Sequence, residues 1–468
     1  MSTFGTLNTA YRGLTAAQLG MNVAGQNIAN AATEGYTRQR VEQSSLAAPA
    51  RGLFSGGTLQ PGQGVSVDTI ARLGNSFLDG SVRSAGAQAG YASVRSSALQ
   101  GIEGVLQEPG ENGISTALQG FWSAWQGAAN QPAEDGPKGL LLNAANSVTD
   151  KISSAYKALD AQWTSARGQA QDTVNAVNAA AAQVASYNTT IRSALAAGGS
   201  ANELIDARAK LTDKIASLTG GAVREQADGT VDVLVGGNAL VTGGSVRTLQ
   251  LAGATAMADA AADAPRIEWT SPSGTATLDG GELAGALSVL APASKGGAIA
   301  QAADAYSTLA LALATAVNTV HQTGVTGAGA SGAPFFTVGG NPAALSVKGP
   351  TDISGIALKA STGGALDTSI ADRISQLGVG ANSPDKVWSG IVTDIGVQSR
   401  GAQQHEALTT AAQASALTGR ASQASVSLDE ENISLLTNQH AYQAAARVMT
   451  AVDEALDVLI NRTGLVGR

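Results

Sequence analysis

The chain has 468 residues, of which 44% are hydrophobic and 4% aromatic, and its net charge is −8. The absence of cysteine excludes disulfides and thiolate metal sites. The length suits about two to four domains. The charges are spread without a basic block, so neither nucleic acid nor an anionic membrane is expected as a partner.

A membrane span and a cleaved secretory signal are not expected. The most apolar stretch, Leu309–Val320, is interrupted by polar residues and is too short to cross a bilayer. The chain begins without the basic and then apolar segments of a signal peptide. Export by a route without a cleaved signal stays open.

A long first helix is predicted from about Thr3 to Ala32, ended by the turn at Gly35. Apolar residues recur along it every seven positions, with alanines between them: Leu7, Leu14, Met21 and Ile28, and Ala10, Ala17, Ala24 and Ala31. This repeat is typical of a helix that lies along another helix. Arg12 is the only charged residue before Glu34, so the outer face suits close packing on several sides.

The next segments are predicted to be mostly helical. Short strands are expected at Thr37–Gln43 and Val65–Ile70, and a helix at Asn75–Gln107. Residues from Ile114 to Leu218 carry helical periodicity that suits three long helices in one bundle.

The composition changes near residue 220, where Gly, Val and Thr become frequent. Residues 222–292 are predicted to form a small β domain, inserted on the outer surface and open to excision. Its expected strands are Val231–Val235, Arg247–Leu251, Ile267–Trp269 and Thr275–Leu278. A helix at Ile299–Gln322 and strands at Phe335–Val338 and Ala344–Val347 follow, and the remainder is predicted to be helical.

The last helix is predicted to begin at a capping box and to run to about Asn461. In that box the Ser427 hydroxyl caps one backbone N–H while Glu430 reaches back to another. Apolar residues again step by seven along two rows: Leu428, Leu435, Tyr442, Met449 and Leu456, and Ala445, Val452 and Leu459. Since the first helix leads into the body and the last one returns from it, the two would pair antiparallel.

Together these elements predict a mainly α fold with a β insertion. Residues 1–33 and 428–468 would form a core domain of long antiparallel coiled-coil helices. Residues 34–221 and 293–427 would form a mostly helical second domain with short β elements, and residues 222–292 the outer β domain. A helix hairpin that closes an ordinary globular domain is the simpler alternative, but the uncharged outer faces favour an interface between copies.

No catalytic, cofactor or metal site is expected. His321, His405 and His440 lack the spacing of helical zinc ligands and are interpreted as surface or interface residues. Residues Gly327–Gly332 match a dinucleotide fingerprint by their letters, but they follow a helix and precede a strand, the reverse of the required order. Ser154 and Lys157 have the spacing of some acyl-transfer enzymes without the accompanying Lys-Thr-Gly.

Four segments resemble a known family. Asn22–Gln39 is similar to the N-terminal signature of bacterial flagellar axial proteins, an Asn-Ile-Ala-Asn core followed by Thr-x-Gly-Tyr. Val426–Glu431 resembles the start of the C-terminal helix in the hook-associated protein 1 family, and Asn202–Arg208 and Gly332–Phe336 resemble internal segments of it. Gln26 and Ala32 depart from the asparagines that are common at these two positions.

The resemblance implies a structural protein of the bacterial flagellum, an adaptor ring that joins hook to filament. Implied partners are further copies of the chain, the hook protein, the second hook–filament junction protein, an export chaperone and the type III export apparatus. The implied location is extracellular, at the hook–filament junction. The alternatives are another axial protein, such as a hook protein or flagellin, and an enzyme with coiled-coil ends, which lacks a catalytic constellation.

An assembly interface is predicted on the two terminal helices, which we expect to be frayed in the free chain because their outer faces lack partners. The residues assigned to this interface are Leu7, Leu14, Met21, Asn27, Ile28, Asn30, Leu428, Leu435, Tyr442, Met449, Val452, Leu456 and Leu459.

Overall fold

A computed structural model describes residues 3–47, 62–339, 347–349, 351–458 and 460. Within these ranges the chain is mainly helical, as predicted, with several short antiparallel sheets. The helices are α1 Thr3–Ala29, α2 Ser76–Leu106, α3 Ile114–Asn130, α4 Asp135–Ala196, α5 Asn202–Thr219, α6 Gly281–Leu290, α7 Ala298–His321, α8 Ser369–Ser375, α9 Pro384–Ala424 and α10 Leu428–Asp457. None of them, in the described ranges, combines the length and apolarity that a membrane crossing requires.

The strands form small sheets whose neighbouring strands run antiparallel: β1 with β2, β3 to β6 in order, β7 to β9 in order, β10 with β13, and β11 with β12. Their bounds are β1 Gln39–Ser45, β2 Val65–Arg72, β3 Ala222–Glu225, β4 Val231–Val235, β5 Asn238–Thr242, β6 Ser245–Val246, β7 Leu249–Ala252, β8 Arg266–Thr270, β9 Ser273–Thr275, β10 Gly324–Thr326, β11 Thr337–Val338, β12 Val347–Lys348 and β13 Ala357–Ala360.

Helices α2 and α9 lie antiparallel along the body. Asn75, the N-cap of α2, donates to Gln423 at the end of α9 (3.1 Å), and Ser399 earlier in α9 donates to Glu103 late in α2 (2.6 Å). A helix from the first part of the chain therefore pairs with a helix from the last part, and the residues between them in sequence form the body. The body between them is organised by α4, whose 62 residues bury one apolar face along almost the full length of the helix.

One end of the core is aromatic. Phe121, Trp125, Phe335 and Phe336 pack with ring centroids 4.9–6.3 Å apart, which suits tilted and edge-on aromatic contacts. His321 joins them at 1% exposure, so its assignment to the surface was wrong. Such burial becomes possible because both ring nitrogens have partners.

The imidazole of His321 holds two segments together. Its Nδ1 donates to the carbonyl of Ala333 (2.7 Å), and its Nε2 accepts from the backbone N–H of Ala357 (2.9 Å). Burial lowers the pKa of His321, so the neutral ring with its proton on Nδ1 is favoured. Exposed His405 and His440 agree with the surface interpretation.

The β-rich region lies against the helical body. Its strands bury Val233, Leu240 and Trp269 in the same apolar cluster that contains Val177 and Val184 of α4. The predicted range of this region also ends in a helix, α6, which packs against α2 and α4. We expected that residues 222–292 could be excised, but the core that they share with α4 argues against an independent outer domain.

Several element ends differ from their predicted positions. Helix α1 stops at Ala29 because residues 30–36 form turns, and Gly35 there has the expected positive φ of 73°. The strand expected at Thr275–Leu278 ends at Thr275, and that expected from Phe335 begins at Thr337. The predicted strand residues 344–346 and the end of the last helix from 461 lie outside the described residues.

Candidate assembly site on the terminal helices

Helices α1 and α10 lie side by side and antiparallel. A Cβ built on Gly13 would lie 4.0 Å from Ala445, one on Gly20 would meet Asn438, and Asn27 bonds Glu431 at 3.0 Å. Each step of seven residues along α1 is thus matched by seven residues back along α10. This register is that of two helices in contact through seven-residue repeats.

The contact face of α10 follows the predicted repeat. Leu435, Tyr442, Met449, Val452 and Leu456 are all partly buried. The first predicted member does not share this burial, because Leu428 is 50% exposed at the first turn. Leu459 lies outside the described residues.

The contact face of α1 is centred on the alanine row of the predicted repeat and not on its row of larger residues. The residues toward α10 are small, Ala10, Ala17 and Ala24 alternating with Gly13 and Gly20. These small side chains let the two helix backbones approach closely, and the larger residues are displaced to the flanks. The flanking, partly buried residues are Leu7, Leu14, Met21 and Ile28.

The terminal helices expose an unusual amount of apolar surface. Together with Val458 and Ile460, they carry eight of the seventeen large apolar side chains that are exposed in the described residues. The other six are Phe4, Tyr11, Leu428, Ile433, Leu436 and Val448. At 100° per residue, Ile433, Leu436 and Val448 fall on the side of α10 opposite the face that meets α1. Helix α10 therefore exposes three large apolar side chains on the side opposite its contact with α1, beside the exposed charged residues Arg447 and Glu454.

Asn27 lies at the centre of a buried polar cluster where the terminal pair meets the body. Its amide nitrogen donates to the backbone carbonyl of Gln39 (2.9 Å) and to Glu431 (3.0 Å). Its amide oxygen accepts from the backbone N–H of Gln39 (3.0 Å) and from the Tyr36 hydroxyl (2.9 Å). Asn27 was predicted at the interface between copies, but at 1% exposure it makes these contacts within one chain.

Asn30 has a local role. Its amide donates to the backbone carbonyl of Gln26 (3.1 Å) and accepts from the Thr33 hydroxyl (3.3 Å), which stabilises the turn after α1. It stays partly exposed.

Arg38 joins the start of α10 to this cluster. Its guanidinium donates to Glu431 (2.7 Å) and Glu430 (2.6 Å), and its backbone N–H donates to Ala424 at the end of α9 (2.9 Å). Burial opposes the charge, but the two carboxylates outweigh it and raise the pKa of Arg38. The Glu430 side chain is thus engaged by Arg38, and only the Ser427 half of the predicted capping box forms, with an Oγ–N distance of 3.5 Å.

Tyr36 is held in its neutral form. Burial, together with the nearby carboxylates of Glu203, Asp206 and Glu431, raises the pKa of Tyr36 to about 12. A neutral hydroxyl can donate to Asn27, whereas a phenolate could not.

Helix α5 attaches the cluster to the body. Asp206 accepts from the backbone N–H of Thr37 (2.9 Å) and from Arg72 (2.5 Å), and Asn202 donates to Gln39 and to the carbonyl of Ile70. The segment Asn202–Arg208, singled out above only by resemblance, is therefore the attachment point of the β1–β2 hairpin.

The β1–β2 hairpin also belongs to the terminal unit. It leaves the cluster at Gln39 and Arg72 and runs back along α1 as far as Gly64, where a Cβ would lie 3.1 Å from Thr9. Helix α1 is thus covered by α10 on one flank and by the hairpin on another.

Sequence reasoning missed the roles of Arg38, Gln39 and Asp206 because their partners lie far away along the chain. In the described residues, no group of three or more potential ligands could hold a metal ion.

Both ends of the chain match sequence profiles of flagellar proteins. The profile "Flagella basal body rod protein" matches residues 7–37, and the profile "Flagellar basal body rod FlgEFG protein C-terminal" matches residues 417–462. These ranges contain most of α1 and α10, which places the terminal pair in the class of flagellar rod-type helical ends.

The interior identifies the family. The profile "Flagellar hook-associated protein FlgK helical domain" matches residues 99–336, just over half of the chain. The chain therefore belongs to the FlgK flagellar hook-associated protein family. This range includes the β-rich region.

Individual relatives agree with this assignment. Flagellar hook-associated protein 1 of Bacillus subtilis strain 168 is 28% identical over 505 aligned positions that cover both chains completely. The Escherichia coli K12 protein of the same name is 28% identical over 72% of this chain and 61% of its own length. The solved flagellar hook junction protein FlgK from Burkholderia pseudomallei shares the fold, with a TM-score of 0.62 at 15% identity over 74% of this chain and all of that chain.

Proposed function

We propose that this chain is a structural subunit of the flagellum that joins hook to filament as a ring of copies, held together by its terminal helices in coiled-coil-like contacts. Family membership and the names of its relatives support the location. The observation that carries the mechanism is the exposure of three large apolar side chains on the outer side of α10, Ile433, Leu436 and Val448.

Large apolar side chains that are exposed together on one side of a helix mark a surface that another molecule covers. One face of α10 meets α1, whereas the other is exposed: Ile433 at 65%, Leu436 at 55% and Val448 at 44%. Covering one such side chain is worth roughly 1.5–3 kcal/mol, and in a ring the gain recurs at every copy. A second copy of the chain is the partner that supplies the same contact repeatedly.

Within this proposal, residues 1–33 and 428–468 form the assembly unit, to which the β1–β2 hairpin is added. Apart from this hairpin, residues 34–221 and 293–427 form the helical second domain, and residues 222–292 form the β insertion. The proposed partners are the hook protein, the second junction protein, an export chaperone and the type III export apparatus. Secretion without a cleaved signal would bring the chain to the hook–filament junction.

Another axial protein, such as a hook protein or a flagellin, is the alternative. The rod-protein profiles at the two ends are compatible with this alternative, because these ends alone do not separate members of the class. The match over residues 99–336 favours the junction protein.

Leu436→Asp tests the proposed contact. The substitution places a charge on the outer face of α10 without touching the face toward α1, so the chain should fold normally. Burial between copies would then carry a desolvation cost. We expect a deletion strain complemented with this variant to secrete the protein but to attach few filaments.

Gln439→Asp is the matched control, since Gln439 is an exposed residue on the polar flank of the same helix. Filament attachment by the Leu436→Asp strain equal to that of the control strain would contradict the proposal.

A further inference from the structure

We infer that neighbouring copies also meet through the helical body, where the outer side of α9 in one copy lies along the outer side of α4 in the next. This inference rests on the proposed ring of copies, and it names two further surfaces that would hold the ring together. Both surfaces belong to the body and not to the terminal helices.

Helix α9 exposes an uncharged row of residues on the side turned away from the core. Two large apolar members, Val397 and Leu408, are 67% and 68% exposed, and beyond Ser399 the helix buries only Thr409. The spacing alternates between three and four residues, as in a helix that lies along another helix. A solvated helix normally carries charges on such a side. This outer row of α9, exposed throughout, comprises Val397, Gly401, Gln404, Leu408, Ala411, Ser415, Thr418 and Ser422.

Helix α4 presents a row with the same spacing, also opposite its buried face. Its members are short side chains, and Asp172 is the only charged one. A Cβ built on Gly168 would meet no atom within 4 Å, so this part of the helix surface is open. Short residues leave the holes into which larger side chains such as Leu408 can insert. This outer row of α4, exposed throughout, comprises Ser154, Ala158, Ala161, Ser165, Gly168, Asp172, Asn175, Ala179, Ala182 and Ser186.

The two helices run through the body in the same direction and at the same height. Near their starts, Trp388 of α9 and Lys151 of α4 both donate to the loop between α2 and α3, over 2.9 and 2.7 Å. Near their ends, Arg420 of α9 and Asn188 of α4 both bond α5. Since both helices rise by about 1.5 Å per residue, position 408 lies level with about position 171.

This arrangement brings the two outer rows together in a ring of copies that stand at one height. The rows would then match to within about one residue, and Leu408 of one copy would lie between Gly168 and Asn175 of the next. The contact would extend for about 38 Å along α9. It joins two different surfaces, and such heterologous contacts close into rings.

Cross-linking in isolated flagella tests the pairing. Since the chain has no cysteine, Leu408→Cys combined with Gly168→Cys can be joined by a short bismaleimide. The double variant should give a ladder of covalent multimers on immunoblots, because each copy carries one cysteine for each of its two neighbours. Thr410→Cys combined with Gly168→Cys is the matched control and should stay monomeric, since Thr410 is exposed on another side of α9.

Two results would overturn the pairing. Covalent dimers from Leu408→Cys alone would place α9 against α9 and not against α4. Absence of multimers when Leu408→Cys is combined in turn with Ser165→Cys, Gly168→Cys and Asn175→Cys would show that the two outer rows do not meet.

Leu408→Asp provides a second test that needs no cross-linker. A deletion strain that carries this variant should attach at least about tenfold fewer filaments than one that carries Thr410→Asp, because only position 408 would be buried between copies. Both monomers should melt as wild type does, since both positions are exposed. Equal attachment by the two strains would contradict the α9–α4 contact. If Leu436→Asp still attached few filaments, the proposed function would stand without that contact.

Discussion

At the scale of single residues, four helical asparagines share one arrangement. Asn27, Asn178, Asn188 and Asn318 each donate to the carbonyl and accept from the N–H of one residue in a facing extended segment. An amide side chain has the donor and acceptor that such a backbone edge requires. The facing residues are Gln39, Leu249, Val231 and Phe336. These pairs of hydrogen bonds attach to the helices extended segments that form only small sheets.

Such roles are hard to predict from sequence. Asparagine is ordinarily unfavourable within a helix, and nothing in the spacing of Asn178 or Asn318 distinguishes a residue that bonds a backbone edge from one that faces solvent. The cluster around Arg38 could not be predicted from the sequence for a related reason. Its carboxylate partner Glu431 lies 393 positions away, and no local pattern encodes that contact.

His321 should make stability depend on pH. Burial lowers its pKa in the folded chain below the unfolded value of about 6.5, so between these values only the unfolded chain binds the proton. The contribution of neutral His321 to the free energy of unfolding is therefore complete above pH 6.5. It declines as the pH falls below 6.5, by at most about 1.4 kcal/mol per pH unit.

Thermal denaturation of the monomer at pH 7.5 and pH 5.5 measures this effect. The drop in melting temperature on acidification should be smaller for His321→Gln, which can donate and accept but does not titrate, than for wild type. His405→Gln, at an exposed position, should behave as wild type. Identical drops for the His321→Gln variant and wild type would show that His321 does not titrate on unfolding.

At the scale of elements, α4 and α5 support the β-rich region through a buried arginine. Arg208 of α5 donates to Asn188 of α4 (2.9 Å) and to the carbonyl of Gly229 (2.7 Å). Burial lowers the pKa of Arg208 to about 10, yet the group remains a cation at neutral pH. Asp206, two residues earlier on the same helix, holds the terminal hairpin. Helix α5 thus connects the β-rich region to the polar cluster around Asn27, where the terminal helices meet the body.

Asn188→Ala should destabilise the contact between α4, α5 and the β-rich region. Its amide bonds Arg208, Gly243 and both backbone groups of Val231, so truncation leaves buried polar groups without partners. We expect a loss of at least about 2 kcal/mol in the free energy of unfolding, measured by urea denaturation. Asn175→Ala, exposed on the same helix, is the control and should change it by less than about 0.5 kcal/mol. A loss no larger than that of the control would mean that the contact between α4, α5 and the β-rich region does not depend on Asn188.

At the scale of the whole molecule, seven-residue periodicity predicted the pairing of the two chain ends and most of the contact face of α10. Of the two rows predicted on α1, Ala10, Ala17 and Ala24 lie toward α10, whereas the larger residues lie at the flanks because closely approaching helices select Ala and Gly. The helical body and the strands at residues 231–235 and 266–270 also followed from local patterns. The packing of the β region on α4 did not, since a change in composition marks a segment but not its neighbours.

If another copy covers the outer face of α10 in the flagellum, as proposed, that face becomes inaccessible on assembly. Because the chain has no cysteine, single-cysteine variants can report this directly. Leu436→Cys and Val448→Cys should react rapidly with a maleimide in the free monomer, and Asn238→Cys, at the exposed start of β5, should serve as the control. In isolated flagella we predict strong protection at positions 436 and 448 and unchanged labelling at 238. Equal labelling of positions 436 and 448 in monomer and flagella would contradict the account.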